Sequence, residues 1–193
     1  VTRVQKIKNH HVDMNVLNAI SRLTWKVSRN KDISIDEYER EINAIGSLKS
    51  VYPAWVTVGA AGLTCACFAK IFGADLPAMG VTAFAACIAF LFRKFLLSKD
   101  FNPYLTVVAV SFLASSIAIG FSGFITTPDY AIIASALFLI PGVPLINSAY
   151  DLMDGFTMVG ITRATIATLI ISGISFGMLF AVNLFSSGVF QPV

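Results

Sequence analysis

The stretch FLIPGVPLINSAYDLMDGF, Phe138–Phe156, breaks an apolar run with two prolines and a glycine and then adds carboxylates. The eleven residues of Tyr130–Ile140, which precede the first of these prolines, would rise about 16 Å as an α-helix, roughly half the hydrocarbon thickness of a bilayer. Pro144 removes an N–H and clashes with the preceding helical turn. The sequence therefore predicts a membrane helix broken near the midplane, which is tolerated only where protein or a cavity surrounds the break.

The residues after the break are polar at helical spacing. Asn147, Asp151 and Asp154 are spaced i, i+4, i+7 and share one helix face. A half-helix beginning near Pro144 would direct its free N–H groups and its positive dipole end at the cavity, where an anion is the natural guest. The alternative is a proline kink, with two interfacial aspartates that only end the helix.

The composition divides the chain into two parts. The protein has 193 residues, of which 56% are hydrophobic and 13% charged, whereas soluble domains carry about 25% charged residues. Nine of the 14 Lys and Arg and six of the 11 Asp and Glu lie in residues 1–50. We therefore predict a helical arm at 1–50 and a transmembrane domain at 51–193. The net charge of +3 is too small and scattered to indicate nucleic-acid binding.

Runs without charged residues locate the membrane helices. A helix needs roughly 20 residues to cross a bilayer, and a proline stands near the start of each of the first four runs, where a missing N–H costs least. The fold class predicted is an all-α membrane protein with five transmembrane helices, a broken fourth helix and a short helical cytoplasmic arm. The predicted spans are 53–72, 77–97, 103–123, 129–150 and 157–182.

Two short helices are predicted for the arm. Val16, Ile20, Leu23 and Val27 repeat at helical spacing, and Ser34–Glu37 is a capping-box pattern that begins a second helix.

The basic residues predict the orientation. Arg93, Lys94 and Lys99 lie around the end of the second span, on the same side as the arm, whereas the loops at 73–76 and 123–128 carry no Lys or Arg. The positive-inside rule then places the N-terminus in the cytoplasm and the C-terminus on the opposite, outer side of the membrane.

The fifth span has two distinct faces. Gly173, Gly177 and Ala181 form a small-residue ladder suited to close helix packing. Arg163 lies on that side, near the inner end, and is either an interface anchor or a partner for Asp151, Asp154 or a substrate carboxylate. A stripe of hydroxyl residues, either functional or ordinary packing, follows a different face: Thr162, Thr165, Thr168, Ser172 and Ser175.

No enzyme, metal site or cofactor site is predicted. The sequence has no nucleophile–base arrangement, phosphate-binding loop or HExxH motif. Its two histidines, His10 and His11, are adjacent in the arm and are interpreted as surface residues. Its cysteines, Cys65, Cys67 and Cys87, lie in apolar runs without histidine or carboxylate neighbours and are interpreted as packing residues.

The segment PGVPLINSAYDLMDGFTMVGITRA resembles the PGxPLINxxxDxxxGxxxxGxxR signature of the threonine/serine exporter family. The segments NHHVDMNVLNAISR and YPAWVTVGAAGLTCACFAKIFGAD resemble the larger, YjjP-type subunit of its split two-subunit branch, which is associated with succinate export. The resemblance implies five spans, a cytoplasmic N-terminal domain and a separate, smaller YjjB-type membrane subunit, in an assembly of higher order. The family positions that it carries over are Pro141, Gly142, Pro144, Asn147, Asp151, Gly155, Gly160 and Arg163.

The expected function is that of a secondary-transporter subunit exporting a small dicarboxylate such as succinate, with its site at the broken helix. A proton could be coupled through Asp151 or Asp154, since a buried carboxylate can have a raised pKa. Three alternatives stay open: export of threonine or serine, a scaffolding role in which the partner holds the site, and a channel.

Overall fold

The computed structural model of the chain describes residues 14–29, 34–46 and 52–186. Over these ranges all regular structure is helical, which confirms the all-α class. His10 and His11 lie outside the described residues. The α-helices are α1 (Met14–Arg29), α2 (Ile35–Gly46), α3 (Ala54–Phe72), α4 (Leu76–Ser98), α5 (Pro103–Gly120), α6 (Pro128–Ser135), α7 (Gly142–Met153) and α8 (Thr157–Ser186), with 3₁₀ turns at Ser122–Phe124 and Leu137–Leu139.

The arm helices α1 and α2 pack on each other as one compact unit. Leu23 is buried, and the ammonium of Lys26 donates to Glu37 Oε1 at 3.3 Å and to Glu41 Oε1 at 2.5 Å. Hydrogen bonds to Glu41 and then Glu37 raise the pKa of Lys26 above its ordinary value. Ser34 Oγ accepts from the N–H of Glu37 at 3.2 Å, as the capping pattern predicts.

The second unit contains the candidate membrane helices. Among the described residues, α3, α4, α5 and α8 are each long and apolar enough to cross a membrane. The segment from α6 through α7 is bent by 63° and gives a fifth candidate if it is counted as one broken span. The chain is therefore a multi-pass membrane protein.

Prolines and polar caps set where these helices begin. Pro103 and Pro128 are the first residues of α5 and α6, where the missing N–H has no intrahelical acceptor. Asn102 caps α5, because its side-chain oxygen accepts from the N–H of Tyr104 at 2.9 Å. Gly73 ends α3 in the left-handed conformation, with φ of 102°, which glycine adopts without steric cost.

Two predicted helical stretches end earlier in the structure. The span predicted to reach residue 123 is helical only to Gly120 and then tightens into a 3₁₀ turn. Likewise, the helix predicted through Ile140 leaves α-geometry after Ser135, and Ile140 itself is extended with φ −61° and ψ 126°. The residue before a proline disfavours the helical region, so Pro141 accounts for the extended backbone of Ile140.

Helix α5 is the centre of the membrane unit, since it packs against α4, α6 and α8. Its contact with α8 is close because small residues line it. An added Cβ on Gly177 would overlap Ser111 Oγ and the carbonyl oxygen of Val108, and one on Gly173 would lie 3.3 Å from Val108. Ala181 is also fully buried. Gly173 and Gly177 of the predicted ladder thus lie at the α5–α8 contact.

A polar contact joins the loops at the opposite end of the unit from the α4–α5 turn. The hydroxyl of Thr127 donates to Asp75 Oδ1 at 2.5 Å, and the N–H of Thr126 donates to Asp75 Oδ2 at 3.4 Å. The N–H of Asp75 in turn donates to Thr127 Oγ1 at 3.1 Å. The Thr127 hydrogen bond is the main reason that the pKa of Asp75 lies below its ordinary value. These bonds tie the start of α4 to the start of α6.

Replacing Gly177 by alanine should destabilise the protein by about 1–3 kcal/mol, because the new Cβ would force α5 and α8 apart. Thermal unfolding of the purified protein in detergent measures the change. Gly59→Ala is the matched control, since a Cβ at Gly59 meets nothing within 4 Å and alanine favours the helix. Equal stability of the two variants would show that this contact does not hold the helices together.

Candidate functional site

The break in the fourth span is a tight turn at Ile140–Gly142. The N–H of Gly142 donates to Ile140 O at 2.9 Å, and the N–H of Leu145 donates to Pro141 O at 3.2 Å. Helix α7 begins at Gly142, so Pro144 falls within its first turn, where a proline is tolerated.

These bonds reduce the number of donors that α7 offers to an anion. The expectation was a half-helix directing several free N–H groups into a cavity. Gly142 uses its N–H within the turn, Pro144 has none, and Leu145 is bonded to Pro141. Within the part of the chain that the structure describes, only Val143 keeps an N–H without a backbone acceptor in this first turn. The positive end of α7 is therefore a weaker anion site than the sequence pattern predicts.

The 3₁₀ turn before the break is partly enclosed by protein. Ser135, Ala136 and Leu139 are buried. The backbone N–H of Phe138 is directed at the sulfur of Cys65, which lies close to the middle of α3, and the Phe138 ring packs on Phe90 with centroids 5.8 Å apart. Burial of this kind is the condition under which a broken helix is tolerated at depth.

After the break, α7 packs against α8 as a helical hairpin. Gly155 makes the turn with φ of 83°, and the N–H of Phe156 donates to Asp151 O at 2.8 Å. The hydroxyl of Ser148 donates to the carbonyl oxygen of Gly160 at 2.9 Å, so the two helices approach closely. The absence of a side chain at Gly160 allows this approach, because a Cβ there would lie 2.7 Å from Leu152 Cγ.

An ion pair lies on this hairpin. Arg163 Nη1 donates to Asp151 Oδ2 at 2.5 Å, and it is the one ion pair recorded among the described residues of α3–α8. The side chain of Asp151 is 20% exposed and that of Arg163 is 44% exposed. A guanidinium has five N–H donors in a planar fork, so this contact leaves most of them available to another carboxylate.

The other predicted site residues are placed differently. Asn147 and Asp154 are exposed, and Asp154 caps the C-terminal end of α7, whereas Pro141, Gly142 and Pro144 are half-buried at the break. Only Asp151 of the predicted polar stripe therefore contacts Arg163.

The sequence reasoning missed Ser148, whose hydroxyl joins α7 to α8. The polar residues of α7 that contact α8 are Ser148 and Asp151, whereas the predicted stripe begins at Asn147, one residue before Ser148. Both sets contain Asp151, so the polar pattern alone fits either face. The glycine twelve residues after Ser148, Gly160, was the available signal, because a close helix approach requires one.

The hydroxyl stripe of α8 lies on the exposed side of that helix. Thr162, Thr165 and Thr168 each donate to the carbonyl oxygen four residues earlier, at 2.8–2.9 Å. Ser172 and Ser175 are exposed as well. Within the described residues, no group of three His, Cys, Asp or Glu side chains converges as a metal site would require.

Comparison with known proteins adds to this geometry. Residues 1–185 match the family described as "Putative threonine/serine exporter". The chain belongs to this exporter family. The resemblance read from the PGVP-to-Arg163 segment is thereby confirmed, and membership indicates a role in transport rather than catalysis.

Two curated relatives of this family member carry the name "Probable succinate transporter subunit YjjP". The protein from Klebsiella aerogenes is 28% identical over 187 residues, which cover 95% of this chain and 71% of the relative. The protein from Escherichia coli K12 is 27% identical over 187 residues, covering 95% of this chain and 72% of the relative. No solved structure matches the chain.

Replacing Gly160 by alanine should open the α7–α8 hairpin and destabilise the exporter-family chain by about 1–3 kcal/mol, because the Cβ would overlap the Leu152 side chain. Thermal unfolding of Gly160→Ala, Leu152→Ala and the double variant measures the coupling. Leu152→Ala removes the overlapping atoms, so the double variant should lose less than the sum of the two single losses. Additive losses would mean that the two residues do not contact each other.

Proposed function

We propose that this chain is a subunit of a secondary transporter that exports small carboxylates, most specifically succinate or a related dicarboxylate. The observation that carries the proposal is the Asp151–Arg163 pair on the hairpin that follows the broken helix. Family membership supports a transport role, and the names of the two relatives support succinate as the substrate.

Arg163 is the proposed carboxylate-binding residue. Its planar guanidinium can bind a carboxylate through two parallel N–H···O bonds. The contact with Asp151 uses only Nη1, so further N–H donors are available. An arriving substrate carboxylate would compete with Asp151 for the guanidinium. Asp151 would then face a second negative charge, which favours its protonated form. This exchange couples substrate binding to a proton at Asp151, with Asp154 at the exposed end of α7 as the route to solvent.

A dicarboxylate needs a second positive feature, and α7 alone does not place one beside Arg163. The free N–H of Val143 lies eight residues from Asp151 along α7, which corresponds to about 12 Å of helix. A four-carbon dicarboxylate is much shorter than this separation. A substrate carboxylate would therefore contact the N–H of Val143 and the guanidinium of Arg163 one after the other along the transport path. When one carboxylate is bound to Arg163, the cation for the other carboxylate comes from the partner subunit. We propose the smaller YjjB-type membrane subunit as that partner, in an assembly of higher order.

The same pair also fits export of threonine or serine. A zwitterionic amino acid carries one ammonium and one carboxylate, and Asp151 and Arg163 present the complementary charges in direct contact. The family description supports this second candidate. The proposed location for either function is the bacterial inner membrane, with the N-terminus cytoplasmic and the C-terminus periplasmic.

Counterflow of labelled substrates tests the proposal. The chain is co-expressed with the smaller subunit, reconstituted in liposomes and assayed with succinate and with threonine. Arg163→Gln should weaken apparent succinate affinity by at least about 30-fold, because it removes a charge-assisted contact. Asp151→Asn should retain exchange but lose its response to a pH gradient, since the amide cannot take up a proton.

Matched controls separate the site from general charge effects. Lys94→Gln removes a basic residue from α4, and Asp129→Asn removes an exposed carboxylate at the start of α6. Neither residue forms an ion pair with any residue that the structure describes. Both controls should exchange succinate normally. Exchange of threonine instead of succinate would establish the second candidate. Normal exchange by Arg163→Gln in an intact complex would assign this chain a scaffolding role, and flow without saturable exchange would indicate a channel.

A further inference from the structure

One side of α1 in the arm carries a tryptophan and two arginines. Arg22, Trp25 and Arg29 fall within about 60° of one another around the helix. We call these three residues the basic face. Leu23, the residue of α1 that is buried in the hairpin, points to another side.

The charges of α1 are not all neutralised by α2. Within Met14–Arg29 there are three basic residues and no acidic one. Lys26 is bound by Glu37 and Glu41 of α2. Arg22 and Arg29 are exposed, and no ion pair is recorded for either among the described residues. The basic face therefore keeps a net positive charge after the hairpin has formed.

Trp25 has no packing role in the hairpin. Its side chain is 64% exposed, and the guanidinium of Arg29 lies 5.5 Å from the centre of its ring. An exposed tryptophan beside arginines is costly in water but typical of the membrane–water interface, where the ring has an apolar body and a polar N–H. Arginine forms bidentate hydrogen bonds with phosphate at the same depth.

Chain connectivity keeps this face within reach of a bilayer. Seven residues separate Gly46 of α2 from Ala54, where the first candidate membrane helix begins. Seven residues span at most about 25 Å. Lipid headgroups surround the start of a membrane-spanning helix, so this linker keeps α2 and α1 within reach of them. The positive charge of the basic face is complementary to the negative surface potential of anionic lipids.

We propose that the basic face of α1 docks on the anionic headgroups of the bilayer in which this chain is embedded. Trp25 inserts at the level of the headgroups, and Arg22 and Arg29 contact lipid phosphates. The docking requires anionic lipid and weakens as salt rises, because it depends on charges at the surface.

Tryptophan fluorescence of the full chain tests this proposal directly. The chain contains two tryptophans, Trp25 and Trp55, so Trp55→Phe leaves Trp25 as the only reporter. This variant is reconstituted in phosphatidylcholine vesicles with and without phosphatidylglycerol, each containing a tracer of phosphatidylcholine brominated near the headgroup. Trp25 emission should shift to shorter wavelength and be quenched by bromine only in the anionic vesicles.

Charge variants give the expected size of the effect. In the Trp55→Phe background, Arg22→Gln and Arg29→Gln should each lower the ratio of docked to undocked arm by about five-fold. Arg40→Gln is the matched control, because Arg40 is an exposed arginine on α2, outside the basic face. It should leave the quenching unchanged.

A second control reports on reconstitution itself. Trp25→Phe leaves Trp55, in the first turn of α3, as the only tryptophan. Bromine should quench Trp55 equally in neutral and anionic vesicles if the chain is inserted in both. With insertion established in this way, unquenched Trp25 emission in anionic vesicles would overturn the proposal. Emission that is shifted but not quenched would also overturn it, since Trp25 would then be covered by protein rather than lipid.

Discussion

The core of a bilayer supplies no hydrogen-bond partners. Where a membrane helix is broken, the backbone N–H and C=O groups released by the break must therefore find partners within the protein. The break at Ile140–Gly142 meets this constraint locally, because its N–H groups are used by the turn or removed by proline. The 3₁₀ turn beside it is partly buried and lies against Cys65 and Phe90. What remains for a ligand is a single N–H and an ion pair farther along the hairpin, and the proposed site rests on these groups.

Close helix packing is the condition that brings the ion pair together. Gly160 lets α7 approach α8, and Ser148 fixes their separation through a hydrogen bond to the carbonyl oxygen of Gly160. Gly177 does the same for α8 and α5. Arg163 therefore lies on a helix whose position is determined on two sides by glycine contacts rather than by charges.

The all-α class and the starts of α5 and α6 could be predicted from sequence, since prolines mark those starts, whereas the helix ends at Gly120 and Ser135 could not. The break was also predictable, because Pro141 excludes Ile140 from helical geometry. The face of α7 toward α8 was not, since Asn147 and Ser148 differ by one position and both patterns include Asp151. The number of free donors at the break could not be predicted either, as it depends on the turn that Gly142 forms with Ile140. The pairing of Lys26 with two glutamates of α2 likewise depends on how the hairpin packs.

The two halves of the fourth span belong to different neighbours. Helix α6 packs on α3, α4 and α5 and is tied to the start of α4 through Asp75 and Thr127, whereas α7 packs chiefly on α8. The segment that links α6 to α7 therefore has few freely rotating backbone torsions. The proline ring fixes φ at Pro141, so rotation is concentrated in ψ of Ile140, ψ of Pro141 and the torsions of Gly142. A torsional change at Gly142 would therefore displace the far end of α7, which carries Asp151, relative to α6.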